Sequence, residues 1–196
     1  FEDLAIASRL ATKDVNSLVE RGHALRAAGK PAAAVPLYRE AVRRNPDQPA
    51  TLRYLVDASL EGGVLDQAIE ELKSQAEARK WDAMVREFLA LALAQAGQDS
   101  EAEATLLRSV ELSKPGEGPW GLLAERYWAT GRKSEVIALL EPILSANPTQ
   151  MTVRSTLISA LDGMGERDRA TQILDEGLRL EPQNEMLRKL QQTRQP

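Results

Sequence analysis

Apolar and polar positions along this chain follow a helical period, and that pattern itself recurs on a longer one. In 34-residue units beginning at Val15, Pro49, Ala83, Glu117 and Met151, slot 7 holds Arg21, Leu55, Leu89, Leu123 and Leu157. Slot 8 holds Gly22, Val56, Ala90, Ala124 and Ile158, and slot 11 holds Leu25, Ser59, Leu93, Tyr127 and Leu161. With slot 4, these positions share one face of a helix. A second stripe runs through slot 20 (Ala34, Ala68, Ala102, Val136, Ala170) and slot 24 (Tyr38, Leu72, Leu106, Leu140, Leu174). Each unit therefore predicts two helices. Small residues at slots 8 and 20 let them approach closely, and the larger residue at slot 24 fills the groove beside them.

The turns repeat as well. Gly29, Gly63, Gly97, Gly131 and Gly165 all occupy slot 15, where the first helix ends and a left-handed backbone is expected. Slot 18 carries Asp66, Ser100, Ser134 and Asp168, which predict side-chain caps on the second helix, while the first unit has Pro31 instead. Pro46, Pro148 and Pro182 at slot 32 end the second helix. A stride of 34 residues is that of a helix–turn–helix array stacked as a solenoid. The predicted fold class is all-α: an α-α superhelix of five such units with flanking helices.

The columns resemble the tetratricopeptide repeat family. The first unit matches its motif through Leu18, Gly22, Leu25, Gly29, Ala34, Tyr38, Ala41 and Pro46. The fourth matches through Trp120, Leu123, Ala124, Tyr127, Gly131, Leu140 and Pro148. Slot 4 departs from the motif at Arg86 and Arg154, so neighbouring Val85 and Val153 are expected to point inward in their place. Slot 32 departs at Lys80 and Lys114, the latter followed by Pro115. Pro36 and Pro142 fall inside second helices, where a mild kink is expected.

The register assigns residues 1–14 to the second helix of a truncated preceding repeat and 15–182 to five tandem units (15–48, 49–82, 83–116, 117–150 and 151–182). Residues 183–196 read as a polar capping helix with Met186, Leu187 and Leu190 on one stripe. One elongated domain is expected. A first residue Phe1 suggests excision from a longer array or protein.

Composition narrows the function. The chain carries 25 basic and 29 acidic residues, a net charge of −4, which suits a phosphate backbone poorly and argues against nucleic acid. The basic side chains concentrate in the first unit (Arg21, Arg26, Lys30, Arg39, Arg43, Arg44), as a solvated face or a docking patch for an acidic partner. The absence of cysteine excludes disulfides and fits either cytoplasm or periplasm. No apolar run approaches the roughly 18–20 residues that span a bilayer, so no direct membrane insertion is expected. Alanine- and arginine-rich repeats suggest a bacterial source.

Candidate chemistry is sparse. His23 is the only histidine, and with no cysteine it leaves neither a zinc set nor a catalytic triad; slot 9 predicts a solvent-facing surface side chain. Residues 116–121 spell Gly-Glu-Gly-Pro-Trp-Gly, a literal G-x-G-x-x-G, but between predicted helices, with an acidic Glu117 and with Pro119 lacking an amide donor. The expectation is therefore no enzyme, no cofactor and no metal.

The resemblance implies that slots 2, 5, 6, 9, 12 and 13 line a concave groove. It assigns Arg53, Tyr54 and Asp57, then Met84, Glu87, Phe88 and Leu91, then Glu125 and Trp128, as the candidate protein- or peptide-binding residues. Asn16, Val19, Glu20, Leu60, Gln95, Thr152, Ser155, Ser159 and Asp162 share those slots. At slot 6, Tyr54, Phe88 and Leu122 read equally as core or groove; Trp128 at slot 12 is the better groove candidate. The lysine, asparagine and arginine clamp with which some family members hold chaperone tails is missing: its slots hold Val19, His23, Tyr54, Met84 and Phe88. The expected function is a non-catalytic scaffold for a protein or peptide partner within a larger bacterial protein or assembly. The alternatives are a spacer or self-association module of an envelope secretion or polysaccharide-export machine, and the targeting domain of a larger enzyme.

Overall fold

The computed structural model describes residues 14–194. Among these it shows eleven helices and no strand. First helices of the units are α1 (Val15–Ala27), α3 (Pro49–Glu61), α5 (Ala83–Gln95), α7 (Trp120–Ala129) and α9 (Met151–Gly163). Second helices are α2 (Pro31–Arg44), α4 (Leu65–Ala78), α6 (Asp99–Leu112), α8 (Lys133–Ala146) and α10 (Arg167–Leu180), each starting 34 residues after the one before. The last helix, α11 (Glu185–Gln192), begins one stride after Met151, where the first helix of a further unit would begin. The expectation of a helix over residues 1–14 falls almost wholly outside the described residues.

Two compact units make up the chain, Phe1–Leu112 and Ser113–Pro196. The boundary between them falls where the repeat is irregular. Between α6 and α7 the chain passes Lys114 and Pro115, then Gly116 and Gly118 at φ +82° and +76°, then Pro119. Helix α7 starts three residues late and keeps 10 residues where the other four first helices have 13.

Within each unit, helices pack on their sequence neighbours and on the next helix of the same rank, as α3 does on α5 and α9 on α11. That nearest-neighbour pattern is what a helical repeat array requires. The core is built from the predicted columns. Tyr38, Leu55, Leu72 and Leu93 are fully buried in the first unit, as are Leu123, Leu140, Leu157, Leu161 and Leu174 in the second. Alanine at slot 20 is buried throughout, with Val136 in its place once.

All five slot-15 glycines have positive φ, between +66° and +82°, and a Cβ on any of them would meet nothing within 4 Å. Backbone conformation, not crowding, selects glycine there. Each sits in the same double hydrogen bond: at Gly63, its N–H reaches the Leu60 carbonyl at 3.1 Å and the Val64 N–H reaches Ser59 at 2.8 Å. That closes the first helix and starts the second.

At three of the second helices the caps expected at slot 18 do not form. Helices α4, α8 and α10 have Val64, Arg132 and Glu166 at their N-caps with no side-chain cap bond, and Asp66 and Asp168 lie inside the first turn. There they act only through the helix dipole. Side-chain caps appear instead on first helices: Asp14 on the Asn16 N–H (3.3 Å), Asp82 on Val85 (3.1 Å) and Asn184 on Leu187 (3.2 Å). Pro36 and Pro142 sit inside α2 and α8, which continue through them.

Slot 4 has a role that its departures from the motif conceal. Val85 and Val153 are fully buried, as expected, but the arginines beside them are not turned out to solvent. Arg86 donates to the carbonyls of Asp82 (2.8 Å), Ala76 (2.9 Å) and Arg79 (3.1 Å), satisfying the end of α4. Arg154, 1% exposed, donates to Pro148 (2.9 Å) and Ile173 (2.8 Å). Trp120 donates to Gly116 at 3.3 Å, and Arg188, in the same slot of α11, to Pro182 at 2.8 Å. In four successive first helices, slot 4 pins the preceding turn with an N–H donor.

Candidate functional site: a groove over residues 120–193

In the second compact unit, α7, α9 and α11 line a groove of about 760 Å³. Its walls repeat by slot. Gly121, Glu125 and Trp128 come from α7; Thr152, Ser155, Thr156 and Ser159 from α9; Met186, Lys189, Leu190 and Thr193 from α11 and the residue after it. Trp120, Ala124 and Val136 complete the lining.

The groove exists because its wall residues are small. Gly121, Ser155 and Ser159 hold slots 5 and 9, where a larger side chain would fill the space. Three of the wall hydroxyls are spent on the helix's own backbone. Ser155 and Thr156 both donate to the Thr152 carbonyl at 2.9 Å, and Ser159 donates to Ser155 at 3.0 Å. They therefore offer methylene and methyl surface.

Trp128 stands at one edge, 43% exposed. Its ring is fixed from behind: Lys133 Nζ lies 5.0 Å from the ring centroid and donates to the Gly163 carbonyl at 3.1 Å. Gly163 makes the room, since a Cβ there would come within 2.9 Å of the indole. An anchored, half-exposed tryptophan above an apolar floor is the composition of an interaction hot spot.

Sequence reasoning named Glu125 and Trp128 for this groove, with Thr152, Ser155 and Ser159 sharing their slots. It missed Met186, Lys189, Leu190 and Thr193. The signal was present, because Met186 lies one stride past Thr152 in slot 2 and Lys189 one past Ser155 in slot 5. Leu122 is 37% exposed and stands outside the lining.

The candidates in the first unit lie on its core. Phe88 is 7% exposed and belongs to the central apolar cluster; Tyr54, Met84 and Leu91 are half-buried against that cluster. Arg53, exposed, places its guanidinium 5.7 Å from the Phe88 centroid. Asp57 and Glu87 are half-buried. Burial pushes the Glu87 carboxyl above its ordinary value, against the opposing pull of Arg53.

His23 requires a correction. It is half-buried, packs edge-on against Tyr54 with centroids 4.5 Å apart, and its Nδ1 is hydrogen-bonded to the buried Tyr38 hydroxyl at 3.0 Å. Gly22 makes this possible: a Cβ there would lie 2.6 Å from the Tyr38 ring. Four of the six basic side chains of the first repeat are also paired, three of them with carboxylates of the second repeat. Arg26 bonds Glu61 at 2.5 Å, Arg44 bonds Glu40 at 2.7 Å, and Arg43 and Arg39 converge on the buried Glu71 at 2.7 and 3.3 Å. That is a structural ion network, not an open docking patch.

Among the described residues no cluster of three or more His, Cys, Asp or Glu could hold a metal, and no helix is long and apolar enough to cross a membrane. The G-x-G-x-x-G segment is the turn entering α7, with helices on both sides.

Helix pairs closed by a left-handed glycine at a 34-residue stride, with side chains of successive first helices lining a groove, define a helical-repeat interaction scaffold. Residues 25–91 match the family model described as Tetratricopeptide repeat, and the helix pairs on either side of that stretch follow the same 34-residue fold. Solved structures agree in fold. The MamA protein is similar with a TM-score of 0.55 and 22% identity over 86% of this chain and 92% of that one. YrrB, described as a TPR protein with an unusual peptide-binding site, gives 0.54 with 14% identity over 97% of each chain. No curated protein sequence matches. Repeats of this family are in general non-catalytic interaction modules.

Proposed function

We propose that this protein holds a linear protein or peptide segment in the groove over residues 120–193, with Trp128 as its anchor contact. The observation that carries the reading is the pairing of that half-exposed indole with a groove of about 760 Å³ in which the hydroxyls of Ser155, Thr156, Ser159 and Thr193 are already bonded internally. An apolar side chain entering between Ser155, Thr156 and Ser159 covers hydroxyls that are already bonded to the backbone. The description of YrrB as carrying a peptide-binding site supports the reading by analogy of fold.

The exposed and half-buried residues of the first unit (Arg53, Tyr54, Asp57, Met84, Glu87, Leu91) form a second, shallower contact face, with Phe88 supporting it from beneath. The segment's binding is passive: no group in the groove is placed for chemistry on it. Selection of binding peptides against the whole chain, followed by Trp128→Ala, tests the proposal. Binding that falls at least about tenfold with an unchanged melting curve is the expected result. Binding indifferent to Trp128 would place the site elsewhere.

A further inference from the structure

A second cavity adjoins the groove. It measures about 420 Å³ and is lined by Asp162, Arg167, Thr171, Leu190, Thr193 and Arg194, so Leu190 and Thr193 belong to both walls. Its chemistry is different. Arg194 spends Nη2 on Asp162, while its Nη1 is buried without any hydrogen-bond partner. Arg167 opens α10, and among the described residues no carboxylate pairs with it. The N-cap of that helix makes no side-chain bond, and Asp168 in its first turn lies outside the lining of this cavity. Two guanidinium groups against one carboxylate leave a net charge of +1 and at least one unspent buried donor.

Resting on the groove as binding site, we propose that the segment it accepts pairs an apolar anchor with an adjacent acidic side chain, whose carboxylate enters the pocket of Arg167 and Arg194. The two cavities supply complementary halves of one recognition pattern. The apolar residue lies against Trp128, Met186 and Leu190; the carboxylate takes the guanidinium donors beyond Thr193. Thr171 and Thr193 donate to the carbonyls of Arg167 and Leu190, both at helical spacing, so the arginines are the donors left for an anion. A basic segment would meet the like charge of this pocket and is excluded by it.

The test is selection from a display library of random dodecamer peptides on the whole chain, with the Trp128→Ala variant as counter-target. Enriched peptides are expected to carry Asp or Glu within a few residues of an aromatic or aliphatic anchor. Changing that residue to Asn or Gln should weaken binding about tenfold or more. The same change should have no effect on an Arg167→Gln, Arg194→Gln double variant. Arg167→Gln alone, which breaks no internal ion pair, should remove part of the acid preference while leaving the melting curve in place. Enriched peptides without acidic residues, or an acid preference that survives in the double variant, overturn this inference and leave the groove standing. Failure to enrich any peptide over the Trp128→Ala counter-target overturns the groove itself and this inference with it.

Discussion

The two compact units are built on one frame and differ in what stands on it. In the first, slots 5, 6 and 9 hold Val19, Glu20 and His23, then Arg53, Tyr54 and Asp57, then Glu87, Phe88 and Leu91; several of these bodies lie on the core. In the second they hold Gly121, Leu122 and Glu125, then Ser155, Thr156 and Ser159, and the surface between the helices is open. The frame fixes where a side chain points. Its volume decides whether that position becomes core or groove. Slot position alone therefore cannot identify a binding residue in this chain, and the contrast can be broken by exchanging the sizes.

The largest expected difference is between the two aromatics that share the concave columns. Phe88→Ala should destabilise the protein by about 3–5 kcal/mol, as removal of a buried ring from an apolar cluster does. Trp128→Ala removes a ring that is 43% exposed and held at its rear by Lys133, and should cost about 1 kcal/mol or less. Denaturant melts of both variants measure this directly. Equal losses would mean that Trp128 is core as well and that the groove reading fails.

Next in size is a difference at slot 27. The repeat whose slot 4 is Leu18 has a buried Ala41 there; the repeat whose slot 4 is Arg154 has Gly177, whose hypothetical Cβ falls 2.4 Å from Arg154 Cδ and 2.6 Å from Leu187 Cδ1. The glycine exists to admit the arginine. Gly177→Ala should cost about 1–3 kcal/mol by overpacking. In an Arg154→Leu background the same change should cost much less, a coupling that a double-mutant cycle reads. Additive losses would show that the arginine and the glycine are independent.

A smaller effect separates two carboxylates of the first unit by sign. Burial opposes ionisation of Glu71, yet bonds from Arg43, Gln75 and Arg39 outweigh it and hold the carboxyl below its ordinary value. Its contribution is therefore present above the unfolded value and is lost as pH falls through the folded one. Glu87 is raised by burial, so ionising it costs stability as pH rises from the unfolded value through the folded one. Melts taken from acid to neutral pH should show Glu71→Gln less stable than the parent at neutral pH and converging with it in acid. Glu87→Gln should be at least as stable as the parent at neutral pH. The reverse order would refute both assignments.

Most of the frame was legible in the sequence because it is periodic. Gly63 must take a left-handed backbone wherever a helix closes in this way, and Leu72 or Leu140 must fill the same hole in each unit. What stayed hidden depends on contacts between slots. Arg154 reads as an outward departure until Gly177, 23 positions later, is seen to make its space. His23 reads as surface until Gly22 lets Tyr38 reach it. The groove was half legible: Trp128 and Glu125 could be named from slot position, but openness comes from Gly121, Ser155 and Ser159, which a search for binding residues passes over. The division at residue 113 was visible only as an excess of glycine and proline.

The smallest expected effect on stability carries the sharpest test of the comparison. Slots 5 and 6 of α3 are Arg53 and Tyr54; the same slots of α9 are Ser155 and Thr156. The double variant Ser155→Arg, Thr156→Tyr writes the first unit's surface onto the second. Both sites are half-buried at the groove wall, and the incoming side chains have about 760 Å³ to enter. Helix propensity changes little, and no buried hydrogen bond is lost, because both hydroxyls bond only back to Thr152. Stability should stay within about 1 kcal/mol of the parent. Peptides selected on the parent chain should nevertheless lose at least about tenfold in affinity, since the volume they occupy is taken by tyrosine. Binding that survives the exchange would show that the open slots of the second unit are not where the segment lies.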